Sequence, residues 1–146
     1  MSRVHTELMI EAPLEKVFDT VAHIENFQKA VPHILRVEPL GEIRSGVGTR
    51  FRETRRMGQR EATTVLEVTE YATNERVRLI SDEGGTVWDS LFETRSEGDG
   101  TRLSLTMDAR PHKLLSRLTV PLMMRMIRSA VEEDLVAVKE YCEGAS

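Results

Sequence analysis

Four short turn clusters punctuate the chain between Leu35 and Ala109, and they limit what it can fold into more than any other feature. They read MGQR (57–60), YATNE (71–75), DEGG (82–85) and EGDG (97–100). Three of them are clusters of residues that accept or stabilise tight backbone reversals, and MGQR supplies a fourth turn through Gly58. Between them lie VGTRFRETRR, EATTVLEVTE, RVRLIS, TVWDSLFETR and TRLSLTMDA, all rich in β-branched or alternating apolar residues. Connections this short join antiparallel neighbours, because a parallel pair needs a crossover of a dozen or more residues. The segments therefore form a meander, with Asp99-Gly100 the strongest hairpin signal. LRVEPL adds a strand before Gly41, and Tyr71 reads as a turn residue.

The flanks are of another kind. RVHTELMIE alternates Val4, Thr6, Leu8 and Ile10 against Arg3, His5 and Glu7, the period of a strand with one buried face. Pro13 then suits a first helical turn, and Leu14, Val17, Phe18 and Val21 make one apolar stripe. A second short helix is expected around Asn26 to Ala30, ending before Pro32. After Pro111 the chain turns helical to its end. Ile127, Val131, Leu135, Val138 and Cys142 share a stripe there, whereas residues 114–126 are apolar almost all round. A helix of that kind is expected to be covered on more than one side. The order is strand, two helices, six strands and a long helix. It predicts an α+β fold, one curved antiparallel sheet of about seven strands wrapped around the C-terminal helix.

The 146 residues are expected to form a single domain, 1–146, burying about two-thirds of the surface of the unfolded chain. Hydrophobic residues make up 40% and charged residues 30%, which excludes a disordered chain. The net charge of −4 argues against a nucleic-acid partner, despite four arginines between Arg50 and Arg56. One cysteine, Cys142, forms no internal disulfide, and the opening residues have no apolar run of signal-peptide length. The greasy stretch LTVPLMMRMI (118–127) is interrupted by Arg125, well short of the ~20 residues of a membrane span. A cytoplasmic protein without an integral membrane segment is expected.

No metal or cofactor is expected. His5, His23, His33 and His112 have no ligand-like spacing and read as surface or packing residues. No glycine-rich phosphate loop or nucleophile constellation is present. Chemistry could reside on the sheet. If Phe51 faces inward, Glu53 and Arg55 follow it, because side chains alternate with period two. A carboxylate and a guanidinium on a dry face need each other or a ligand; alternatively a bulge shifts the register, or the pair is exposed at a sheet edge. Trp88 shares a face with Phe92, Leu105 with Met107, and Leu66 lies on a neighbouring strand. On the last helix, Leu118, Leu122, Met123, Met126 and Ile127 form one broad face. Methionines suit an adaptable wall, and Pro121 either starts the main helix or kinks a continuous one, a break where a gate would be useful.

The order of elements resembles the START-like, or SRPBCC, helix-grip superfamily of polyketide cyclase/dehydrase and lipid-transport proteins. The resemblance is carried by IEAPLEKVFDTVAHIENFQKAVPHILRVE, GVGTRFRE, DGTRLSLTM and DLVAVKEYCE, and it covers nearly the whole chain. It implies a deep cavity between sheet and closing helix that holds a hydrophobic small molecule. The candidate lining residues are then Phe27 and the sheet and helix residues just named. The expected function is carrier or sensor for a lipid, isoprenoid quinone or polyketide, acting as monomer or homodimer. A cyclase or aromatase using the same cavity is the alternative, with Glu53 and Arg55 as its weak catalytic candidates. An interaction module is a third class, for which the sequence offers no clear apolar surface patch.

Overall fold

The computed structural model describes residues 2–144. It contains β1 (Ser2–Ile10), α1 (Leu14–Ala22), α2 (Ile24–Ala30), β2 (Ile34–Leu40), β3 (Arg50–Met57), β4 (Arg60–Ala72), β5 (Arg76–Glu83), β6 (Thr86–Glu97), β7 (Gly100–Pro111) and α3 (Leu114–Cys142). All seven strands join one antiparallel sheet in the order β1-β7-β6-β5-β4-β3-β2. The meander is therefore intact from β2 to β7, and β1 closes the far edge beside the last strand. Together with the long α3 this is the helix-grip arrangement.

Local chemistry accounts for the details. Pro13 precedes the first turn of α1, where its missing N–H costs nothing, and Val17 N–H returns to its carbonyl at 3.1 Å. Pro39 sits in β2, an edge strand that can spare a ladder donor. The β6–β7 loop is Gly98-Asp99, with Glu97 opposite Gly100, so the turn lies one residue earlier than the Asp99-Gly100 signal implied. Gly100 belongs to β7 and serves another need. A Cβ there would stand 2.6 Å from the Ile10 carbonyl oxygen. Tyr71 is likewise a strand residue of β4, not a turn residue, and its ring packs edge-on against Phe18 at 5.5 Å.

The core lies at one end of the molecule. Val131, Leu135, Val138 and Cys142 of α3 are buried with Val4 and Ile10 of β1, Leu103 and Leu105 of β7, and Val17 and Val21 of α1. That half of α3 follows the stripe in the sequence. Its first half does not. Leu114, Leu115, Leu118, Leu122, Met123 and Met126 are exposed, so residues 114–126 are covered on one side, not on several. The buried positions in this half are Ser116 and Val120. Apolar composition alone could not reveal which side of the helix meets the sheet. The helix also runs unbroken through Pro121.

The outer face of the sheet is held by ion pairs that cross strands. Asp89 of β6 accepts from Arg78 of β5 at 2.7 Å and from Arg110 of β7 at 3.2 Å. Arg78 also reaches Glu70 of β4 at 3.1 Å, and Arg3 of β1 clasps Asp108 of β7 at 2.7 and 3.2 Å. Asp89 lies directly opposite Asp108, and the surrounding guanidinium groups offset their repulsion.

Candidate functional site

The sheet parts company with itself midway along β4. Pairing of β4 with β5 runs only from Glu67↔Ile80 to Ala72↔Arg76, whereas β3 and β4 stay paired out to Met57↔Arg60. The distal half of the β3–β4 hairpin therefore projects from the sheet. Val65 N–H, left without a β5 carbonyl, donates to the Glu83 carboxylate at 3.2 Å. Between this hairpin, the rest of the sheet and α3 lies a cavity of about 290 Å³.

Its walls follow the strand alternation. Phe51, Glu53, Arg55 and Met57 enter from β3, and Ala62, Thr64, Leu66 and Val68 from β4. Leu79, Ser81 and Glu83 come from β5, Trp88, Ser90 and Phe92 from β6, and Leu105 and Met107 from β7. No register shift interrupts the β3–β4 ladder, so Glu53 and Arg55 share the inward face of Phe51. From α3 come Met126, Ile127, Ala130, Val131 and Asp134; Phe27 and His23 close the α1–α2 end. Phe27 meets Phe92 edge-on at 5.7 Å. Three of the four phenylalanines and the sole tryptophan thus gather on one cavity.

A buried charged cluster of Arg55, Asp134 and Glu53 interrupts the apolar part of this wall. Arg55 Nη1 donates to both carboxylate oxygens of Asp134, at 2.9 and 3.1 Å, while its Nε lies 3.4 Å from Glu53. The side chains are 18%, 11% and 14% exposed, so little water screens them. Two carboxylates share a single guanidinium. Burial pushes the Glu53 carboxyl above its ordinary range, and Arg55 only partly opposes it. Burial raises Asp134 as well, again against the pull of Arg55. Burial alone would lower Arg55, but Asp134 and Glu53 beside it hold its pKa above the usual value. The cluster is a hydrogen-bond acceptor that retains a proton more readily than free carboxylates do.

The candidates read from sequence divide cleanly. Phe27, Phe51, Glu53, Arg55, Leu66, Trp88, Phe92, Leu105, Met107, Met126 and Ile127 line the cavity. Leu118, Leu122 and Met123 are exposed and stand outside its lining; of the broad face expected on α3, Met126 and Ile127 alone reach it. Asp134 was missed. Its signal was available: it falls three residues after Val131 and four before Val138, on the apolar stripe, where a carboxylate demands a partner. His23, expected at the surface or in packing, lines the cavity, with its Nε2 3.4 Å from the Tyr71 hydroxyl. Arg44 and Ser45 reach the lining from the loop before β3, where no periodicity announces them. Tyr71 is not itself among the lining residues.

Among the described residues no group of three or more His, Cys, Asp or Glu side chains could hold a metal ion, and no helix is long and apolar enough to cross a membrane. The Cys142 thiol is buried beside Thr20 Oγ1 at 3.4 Å, and burial pushes its pKa up. It is a packing residue and not a nucleophile.

Comparison with known proteins agrees with this architecture. The structure is similar to a START superfamily protein from Mycobacterium smegmatis, with a TM-score of 0.82, 15% identity and 100% of both chains covered. It is similar to TTHA0849 from Thermus thermophilus, with a TM-score of 0.80, 24% identity and 99% of both chains covered. It also matches the di-domain ARO/CYC StfQ from the steffimycin biosynthetic pathway, with a TM-score of 0.79 and 11% identity, over 97% of this chain and 50% of that one. A comparison with curated protein sequences gives no match. At these identities the structural likeness shows the fold alone. The family model described as polyketide cyclase / dehydrase and lipid transport matches residues 1–143. With the helix-grip fold around its cavity, the chain belongs to that family.

Proposed function

We propose that the protein is a carrier or sensor for an apolar, ring-bearing small molecule carrying one hydrogen-bond-donating group. The observation that supports this reading is the cavity itself. It gathers aromatic side chains from an aromatic-poor chain around one acceptor cluster. Such a wall favours flat apolar surface, since aromatic contacts add to area burial. Its volume stands near the lower end of the ~300–1,000 Å³ typical of ligand pockets. With two carboxylates on one guanidinium, the polar end attracts a hydroxyl or phenol and repels a carboxylate.

The test is calorimetric titration with 1-naphthol and 1-naphthoate, a pair matched in ring size. Naphthol is expected to bind at least about tenfold more tightly, which corresponds to ~1.4 kcal/mol. Equal affinity for the anion would sink the assignment of the polar end. Native mass spectrometry of the purified protein should show an apolar molecule that is released unchanged.

A second reading, a cyclase- or aromatase-type enzyme, is favoured by one observation. Glu53 is a cavity-wall carboxyl raised by burial, the direction in which burial tunes a carboxyl for general acid or base work. Time-dependent conversion of an added poly-β-keto mimic, lost in Glu53→Gln, would favour it over the carrier.

A further inference from the structure

The first half of α3 carries a surface that the cavity does not use. Leu114, Leu118, Leu122 and Met126 follow one another at intervals of four and form a single row along the helix. They are 76%, 65%, 84% and 55% exposed, on the side opposite the buried Ser116 and Val120. A contiguous apolar row of this kind on a folded protein marks a contact surface.

The charge around it names the contact. From Ala109 to Val131 the chain holds five cations and no acid, although its net charge is −4. Lys113, at the N-cap of α3, and Arg117, Arg125 and Arg128 within it are all exposed. Among the described residues none of these four has a carboxylate partner. Most arginines of the sheet behave differently: Arg3, Arg36, Arg50, Arg52, Arg76, Arg78, Arg102 and Arg110 are each paired, and among the described residues Arg56, Arg60 and Arg95 are the sheet arginines without a carboxylate partner. Where this protein has arginines it neutralises most of them, yet along the leucine row it leaves them free.

We propose that this half of α3 docks on the surface of an anionic phospholipid membrane, lying in the interface with the leucine row inserted. Exposed leucines beside unpaired cations are what an interfacial helix presents to acidic headgroups. A second copy of the chain fits less well. A twofold contact would set each row against itself and bring like charges together. The row also ends on Met126, which lines the cavity, so a docked helix sets the cavity opening against the bilayer, where apolar ligands dissolve.

The test is flotation of the intact protein with vesicles of phosphatidylcholine alone and of phosphatidylcholine mixed with phosphatidylglycerol. Capture is expected on the mixed vesicles, weak on neutral ones, and reduced severalfold at about 1 M salt, where the Debye length shrinks to ~3 Å. Leu118→Ser combined with Leu122→Ser is expected to lower capture at least about tenfold. Thermal stability should be unchanged, because both side chains are already in water. Arg117→Glu with Arg125→Glu should abolish the preference for anionic vesicles. Equal capture by parent and serine variant overturns the proposal, as does no capture on anionic vesicles. A dimer in light scattering that the serine variant dissolves, without vesicle capture, assigns the face to a second copy and also overturns it. Calorimetry with 1-naphthol on the serine variant separates this surface from the cavity, since neither leucine lines it.

Discussion

Arg55 of β3 holds Asp134 of α3 through two hydrogen bonds, at 2.9 and 3.1 Å, across the gap where the β3–β4 hairpin leaves the sheet. The pair joins the projecting hairpin to the closing helix and at the same time supplies the polar end of the cavity. Glu53, 3.4 Å from the same guanidinium, makes the arrangement one cation between two acids. The positive charge is therefore the keystone.

Replacement of Arg55 by Met should be the most damaging change in the site. It leaves two buried carboxylates with no cation, and the expected loss is about 3–5 kcal/mol near neutral pH. The loss should shrink in acid, because protonation removes both uncompensated charges. Denaturant unfolding of parent and variant across pH checks this. A deficit that stays constant from about pH 4 to 8 would contradict it.

Glu53→Gln should act in the opposite sense. The Glu53 pKa is raised in the folded protein, so the group contributes stability below the ordinary carboxylate pKa and loses it as pH rises through the folded value. Gln removes the cost of an ionised, desolvated side chain while Arg55 keeps Asp134. The variant should match or exceed the parent by about 1 kcal/mol near neutral pH, with the advantage fading in acid. Thermal melts at the two ends of this pH range give the comparison.

The meander, the flanking helices and the inward faces were legible because period-two alternation is a direct consequence of strand geometry. Phe51 fixes Glu53 and Arg55 once the register is continuous. Three things were less accessible. Asp134 needed the idea that a carboxylate on an apolar stripe implies a cation elsewhere, and only the fold places Arg55 there. The outward turn of Leu118 and Leu122 contradicts the rule that apolar faces are covered, so hydrophobicity misassigned them to the cavity. Arg44 and Ser45 sit in an irregular loop, where no spacing relates sequence to direction.

Ala130→Phe should fill the cavity from the helix side. Ala130 lies on the lining between Ile127 and Asp134, and about 290 Å³ of space stands before it. In a packed core such an enlargement costs about 1–3 kcal/mol, whereas an existing void accepts it. Naphthol affinity should fall at least about tenfold, with a melting temperature within a few degrees of the parent. A sharply lowered melting temperature with unchanged affinity would place the side chain outside the cavity.

The start of α3 is fastened to the β5–β6 turn, and two adjacent glycines there test how. Ser116 Oγ donates to the Gly84 carbonyl at 2.8 Å, and the His112 N–H donates to the Gly85 carbonyl at the same distance. Both glycines have positive φ, +61° and +85°. A Cβ on Gly84 meets nothing, so Gly84→Ala bears only the left-handed backbone strain, about 1–2 kcal/mol. A Cβ on Gly85 would stand 2.7 Å from Ser116 Oγ and 2.8 Å from two Lys113 carbons. Lys113 can swing aside, but Ser116 is buried and already committed to Gly84. Gly85→Ala must therefore push the first turn of α3 off the hairpin as well, adding the loss of a buried hydrogen bond, about 1–3 kcal/mol. Gly85→Ala should thus be the more destabilising of the two in urea. It alone should speed amide exchange in the first turns of α3; equal exchange in both variants would show that the hairpin does not anchor the helix.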